Sequence, residues 1–387
     1  MSVRAEKILC IMPNRSWTVG DIRLRFPLER LAGSEPGAWN IVFRAVFDLS
    51  PEDIRGAGAV VIQRLASPFI VRLARRLAEA RIPYIYEIDD LLWDMPAFLE
   101  SASAWAGRRA ELLELIRNAD FVSTTTERLA EKLRPFNPNV APIPNVLPQA
   151  AAEESGHREQ SPVLLIGATD RMAVAHVIPA LVRLQEHSDI PVVAVGPVAD
   201  ALAEAKVRVR SYPLMEYREF AGFLRRFADA VALLPLDGSA FSGCKSPVKY
   251  LSYAEARIPV IADAVPPYSD IIVHDRNGWL ADGTPEGWER AIRTLLDDRS
   301  RRERYVSAYD ELALPTLDDA ARLWSGLLKA VAVRPPDTAE CPIAKLPPAW
   351  NWSQLRYFID PRKYRSFLKL VNRHGINSVF SLLRKGM

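Results

Sequence analysis

The sequence predicts an α/β chain of two parallel-sheet domains followed by a basic helical tail. Three observations predict it. Strand-like and helix-like segments alternate over 7–124 and again over 163–331. A proline-rich stretch at 135–148 and a polar run at 150–161 separate the two alternations. Beyond 333 the alternation stops, and residues 351–387 carry eight Lys and Arg against one Asp. The domain boundaries expected from this pattern are 1–150, 160–316, a returning helix at 317–332 and a tail at 333–387.

In the first alternation, strands are expected at 7–12, 40–43, 59–62, 83–88 and 121–124, with helices at 69–80 and 104–118. The second places strands at 163–167, 191–196, 207–212, 231–234 and 259–262, with late helices at 288–296 and 317–331. Val231–Leu234 is a short apolar run ended by Pro235, the form of a strand buried on both faces. Asn277-Gly278 is a tight turn.

Bulk properties narrow the function. The 387 residues are 49% hydrophobic and 25% charged, with a net charge of +3, so nothing argues for a nucleic-acid partner. Cys10, Cys244 and Cys341 show neither metal nor disulfide spacing. The N-terminal apolar run is too short for a signal peptide, and no stretch is long enough to span a bilayer. A cytoplasmic enzyme is expected, one that would meet a membrane only from its surface.

Two stretches carry chemistry. In the first, Ser246-Pro247 reads as an N-cap followed by proline at the first helical position. Lys245 and Lys249 then sit beside a helix N-terminus, where the helix dipole disfavours cations. An anion bound between them resolves the conflict, and phosphate is the usual one. Gly243 and Ser242 precede them in a loop whose N–H groups would add donors. The alternative is a solvated loop with both lysines in water. In the second stretch, Glu87-Ile88-Asp89-Asp90 follows the β-rich Tyr84-Ile85-Tyr86. It puts three carboxylates at the end of a strand, where ligands of α/β folds bind. Asp89 or Asp90 would take a proton as general base, with like charge raising one pKa. The alternative is that they cap the next helix. Arg23 and Arg25 follow the first strand and would either grip an anion by forked hydrogen bonds or line an ordinary helix. His176 and His274 are isolated and read as structural.

Lys249, Tyr253 and Pro259-Val260-Ile261-Ala262 match, as they stand, the donor-binding segment of family 4-like glycosyltransferases, which the chain resembles over about 7–331. Asp275–Leu280, Asn145 and Arg23–Leu28 resemble further segments of that group. Two positions depart from it: Ser252 stands where the family has a ribose-binding glutamate, and Arg257 where it has glycine. Read back from Ser252, the Glu-x7-Glu signature would begin at Cys244 and is absent.

The resemblance implies a GT-B fold, two Rossmann-like domains facing across a cleft. It implies a nucleotide-diphosphate sugar as donor, bound by Lys245, Lys249, Arg171, Gly167, Ser246, Ser252 and Gly243. The acceptor, a glycan or lipid-linked molecule, would meet Arg23, Arg25 and Glu87, with Asp89 or Asp90 at its hydroxyl. Neither metal nor cofactor is implied, and retention at the anomeric carbon is the family's outcome. A sugar-nucleotide epimerase and a non-catalytic glycan- or partner-binding protein are the rival readings.

In the tail, Tyr364, Phe367, Leu368 and Val371 form an apolar stripe opposite Arg362, Lys363, Arg365, Lys369 and Arg373. Either an anionic membrane surface meets residues 353–387, or the helix packs on its own domain.

Overall fold

Short apolar runs with no exposed face become central strands here. Ala57–Gln63 is buried at all seven positions, and Ala230–Leu234 at all five. The structure, a computed structural model, describes residues 5–14, 18–99, 101–148, 163–168, 174–227 and 229–331. Arg171, the polar run at 150–161 and the tail at 333–387 lie outside these. The chain divides into two units, one formed by residues up to Pro144 together with those from Leu317, the other by Asn145–Thr316.

The first unit is built on strands β1 (Glu6–Met12), β2 (Trp39–Ala45), β3 (Ala57–Gln63), β4 (Tyr84–Glu87), β5 (Phe121–Thr124) and β6 (Val140–Pro142). All pair in parallel, in the order β2-β1-β3-β4-β5-β6. Its main helices are α1 (Phe26–Ser34), α2 (Pro68–Glu79) and α3 (Arg109–Asn118). Ser67 starts α2 by accepting from the Ile70 N–H, with Pro68 in the first turn. The single helix expected at 104–118 is two pieces, Ala102–Ala106 and Arg109–Asn118, with Gly107 and Arg108 between them. The proline-rich stretch contributes β6, an edge strand, where a missing N–H is tolerated.

The second unit carries β7 (Val163–Gly167), β8 (Val192–Val195), β9 (Val209–Tyr212), β10 (Ala230–Leu234), β11 (Val260–Asp263) and β12 (Trp279–Ala281). The order is β12-β11-β10-β7-β8-β9, again all parallel. Helices α4 (Ile178–Glu186), α5 (Val248–Glu255) and α6 (Pro285–Asp297) cover it. Alternate strand residues serve opposite faces. Leu164, Ile166, Leu233 and Ile261 pack with Leu181 of α4 and Trp288 of α6. Val163, Leu165, Ala232 and Val260 pack with Tyr250 and Tyr253 of α5.

The last helix, α7 (Leu317–Val331), belongs to the first unit and packs on α1. Arg30 pairs with Asp318 at 2.6 Å, and Glu35 accepts from Ser325 at 2.8 Å and Lys329 at 3.1 Å.

Arg23 lies inside the first unit, 1% exposed. Its Nε donates to Glu87 Oε1 at 2.7 Å, and its other nitrogens donate to the backbone carbonyls of Ile143 and Thr124. One guanidinium therefore ties β4 to β5 and to the chain leaving β6. Removing one partner of a buried pair leaves the other charge uncompensated. Arg23→Met is expected to lower the unfolding free energy by about 3–5 kcal/mol. Arg23→Met with Glu87→Leu should recover most of that loss in urea titrations.

Candidate functional site

The strand order of the second unit reverses between β7 and β10, and at that point the two crossovers leave on opposite faces. The connection from β7 goes to α4 on one face, and that from β10 to α5 on the other. Between them lies the crevice in which α/β sheets bind ligands.

Of the residues expected at the donor, Gly167, Lys249 and Lys245 stand near this edge. Lys249 donates from Nζ to the carbonyl of Gly167, the last residue of β7, at 2.8 Å. The protein packed around this ammonium pushes the amine down to about 8, and the like charge of Lys245 adds to the effect. The lysine side chain as a whole retains exposure to solvent. Lys245 rests over the Phe241 ring, its Nζ 4.8 Å from the centroid. Gly243 ends a helical turn that Ser239 caps, and Asp237 steadies the turn by accepting from the Ser239 N–H and the Ser242 hydroxyl. Gly196, at the end of β8, has φ +87°, and a Cβ there would lie 2.9 Å from the Ala168 carbonyl oxygen. Only glycine lets these two strand ends approach so closely.

Two expectations change in detail. Ser246 does not cap α5: the helix starts at Val248, Pro247 holds the boundary, and no side-chain cap bond forms there among the described residues. Among the described residues, the positive end of α5 has no side-chain cap. Ser252 turns its hydroxyl back onto its own helix, donating to Val248 O at 2.9 Å. Two ammonium groups and an uncapped helix N-terminus beside a strand edge can together balance the charge of a phosphate group.

The acidic stretch occupies the corresponding edge of the first sheet, within the first unit. Asp89 accepts from Arg64 Nη1 at 2.7 and 2.9 Å, and Asp90 from the same nitrogen at 3.4 Å. No helix begins at either residue, so neither is a cap. Arg64 itself sits in the left-handed region at φ 48°. For a non-glycine residue this conformation costs about 1 kcal/mol, the kind of strain that collects at functional sites. Burial pushes the Asp89 carboxyl up to about 7; Arg64 opposes the shift, and the like charges of Asp90 and Glu87 reinforce it.

The acceptor-side arginines are separated. Arg23 is internal and bound to the fully buried Glu87, whereas Arg25 is partly exposed, pairs with Asp21 at 2.9 Å and stacks on Phe43. Two positions apart on the helical turn Asp21–Arg25, the arginines face opposite sides, one inward and one toward the surface.

A carboxyl that keeps its proton to about 7 when folded, but loses it near 4 when unfolded, favours the folded state at low pH. Stability should therefore fall as pH rises from about 4 to about 7. In Asp89→Asn this part of the pH dependence should vanish, read as melting temperatures of both proteins across the window.

Among the described residues, no cluster of three or more His, Cys, Asp or Glu would hold a metal ion, and no helix is long and apolar enough to cross a membrane. No protein-family model matches the chain, and no curated protein is similar to it in sequence. Solved structures are similar in fold. Sucrose-phosphate synthase from Thermosynechococcus elongatus superposes with a TM-score of 0.63 at 15% identity, over 84% of this chain and 98% of that one. Anabaena HepE, in complex with UDP and glucose, gives 0.60 at 12% identity over 84% and 100%. MnaA of S. aureus, with UDP, gives 0.52 at 12% identity over 86% and 100%. With its two parallel six-stranded sheets, the chain has the GT-B fold of these proteins.

Proposed function

We propose that this chain is a glycosyltransferase that moves a sugar from a nucleotide-diphosphate donor to a glycan or lipid-linked acceptor. The observation that carries this reading is Lys249. Its ammonium stands at the crevice of the second sheet, is held at about 8 by its surroundings, and has Lys245 beside it. A charge that the protein disfavours by itself becomes favourable once an anion arrives. In sugar transfer the leaving nucleotide diphosphate gains negative charge as the glycosidic bond breaks, and cations already in place stabilise it. The likeness in fold to HepE with UDP and glucose supports a nucleotide sugar as the donor.

In this reading Asp89, with Asp90 beside it, accepts the proton of the attacking hydroxyl. A carboxyl near 7 is matched to that work at neutral pH. Glu87 and Arg23, both buried, hold the acidic edge in shape, and Arg25 is the arginine left to meet an acceptor group. No metal or cofactor is required. Arg171 and a membrane contact through 353–387 remain parts of the proposal outside the described residues.

A second reading, epimerisation of a nucleotide sugar, is favoured by the fold likeness to the proposed UDP-N-acetylglucosamine 2-epimerase of Listeria monocytogenes, at a TM-score of 0.52 and 14% identity. The two differ in product. A transferase releases nucleotide diphosphate when given an acceptor, whereas an epimerase converts the donor without one.

Thermal-shift screening and calorimetric titration with UDP, GDP, ADP, CDP and dTDP test the donor site. One nucleotide should raise the melting temperature selectively. Lys249→Ala should weaken that nucleotide by about 10- to 100-fold, the effect of losing a charge-assisted hydrogen bond. Failure of every nucleotide to bind the folded protein would overturn the reading. The ammonium, and not the neutral amine, attracts phosphate, so affinity should fall as pH rises through about 8. Near that pH, binding should take up a proton, measurable as a heat that varies with the ionisation enthalpy of the buffer.

A further inference from the structure

We propose that His176 forms the wall of the second-unit crevice opposite Lys249, donating from Nδ1 to the diphosphate of a bound nucleotide, with Asp263 as the residue that positions it. The proposal rests on the nucleotide-binding reading above and adds a group to it.

Asp263 ends β11 and is 2% exposed. Its Oδ1 accepts from Trp288 Nε1 at 2.9 Å, and its Oδ2 accepts from the Leu236 N–H at 2.7 Å. His176 Nε2 lies 2.7 Å from the same Oδ2. Three elements thus converge on one buried carboxylate: the connection after β7, the connection after β10, and helix α6. The histidine is the member of this group that reaches solvent, its side chain being 29% exposed. Trp288 also meets the imidazole edge-on, with centroids 6.2 Å apart, which limits rotation of the ring.

The chemistry follows from the partners. A carboxylate only accepts, so the hydrogen between His176 and Asp263 sits on Nε2. That leaves Nδ1, which has no partner among the described residues. With Nε2 fixed, the remaining nitrogen has a defined direction and a defined role. A phosphate oxygen also only accepts, so the bound state is an imidazolium with one N–H on Asp263 and the other on the phosphate. An internal carboxylate that merely needed satisfying already has donors in Trp288 and Leu236. The third donor carries the network outward to the surface.

Position makes the crevice the destination. His176 lies on the connection from β7 to α4, while Lys245 and Lys249 lie on the connection from β10 to α5. These are the two segments that flank the point where the strand order reverses. Lys249 touches Gly167, the last residue of β7, and His176 lies nine residues beyond Gly167 on the connection to α4. A ligand held at the end of β7 has one segment on each side.

Side-chain 15N spectra of the wild-type protein test the idea directly, with the His176 ring assigned through its backbone. UDP, GDP, ADP, CDP and dTDP are titrated in turn, with inorganic pyrophosphate as a probe of the diphosphate alone. With the nucleotide bound, the His176 Nδ1 resonance should shift to that of a protonated, hydrogen-bonded nitrogen, and pyrophosphate should give the same signal. His176→Gln keeps a donor within reach of Asp263 but loses Nδ1, and should weaken the nucleotide about 10-fold or more. Asp263→Asn should weaken it as well and remove the fixed protonation of Nε2 in the free protein, a signature that loss of packing alone would not give.

An unchanged His176 resonance at saturating nucleotide, with His176→Gln binding as tightly as wild type, overturns the proposal. If Lys249→Ala still loses affinity in that case, the donor site stands without His176. If no probe binds the wild type, both fail together. Because the ring is read in the wild type, the test holds even where a variant does not fold.

Discussion

A parallel sheet ends all its strands on one edge, and everything chemical in this chain follows from how the two sheets fill that edge. Helices must cover both faces, so the faces are apolar and only the carboxyl ends of the strands can carry polar groups. Charge placed there is half-buried by construction. It has to be paired, bonded to backbone, or left awaiting a ligand.

The two units resolve this differently. The first collects acid: Glu87, Asp89 and Asp90, met by Arg23 from below and Arg64 from the side. Nearly every charge has an internal partner, yet burial still keeps the Asp89 proton on to about 7. Polar atoms are left over along the same row. Gln63 and Glu87 stand in register on β3 and β4, and Ser123 follows on β5. The Gln63 amide, Glu87 Oε2 and the Ser123 hydroxyl are all buried without a protein partner. Groups like these hold water in most interiors. The second unit collects base. Among the described residues no carboxylate is bonded to Lys245 or Lys249, and Lys249 settles on a carbonyl that cannot neutralise it. Among the described residues, the first edge pairs its charges internally, whereas the second leaves two ammonium groups without a bonded carboxylate.

Much of this was legible in the sequence, and the limits have physical causes. The strands were readable because each is a short buried run between breakers; Phe121–Thr124 and Val163–Gly167 fall at their expected bounds. β6 and β12 escaped because three-residue edge strands carry too little apolar signal. The lysine pair stood out because cations beside a helix start conflict with the helix dipole, and that conflict is local. Long-range pairing was not readable. His176 and Asp263 are 87 residues apart, Arg23 and Glu87 are 64 apart, and nothing in either neighbourhood announces the other. Arg64 went unnoticed for the same reason: its role depends on Asp89, which only the strand pairing brings beside it.

The return of α7 to the first unit fixes an order of events during synthesis. The second unit is one continuous stretch, so it has all its strands as soon as Thr316 leaves the ribosome. The first unit emerges earlier but stays incomplete. Its α1 lacks the helix it packs on, and Arg30 and Glu35 lack Asp318, Ser325 and Lys329, until the segment from Leu317 follows. Domains usually fold in the order in which they are made. Here the half that is begun first is finished last, and a chain stalled before Leu317 would present the bare side of α1 to the cell's proteases and chaperones.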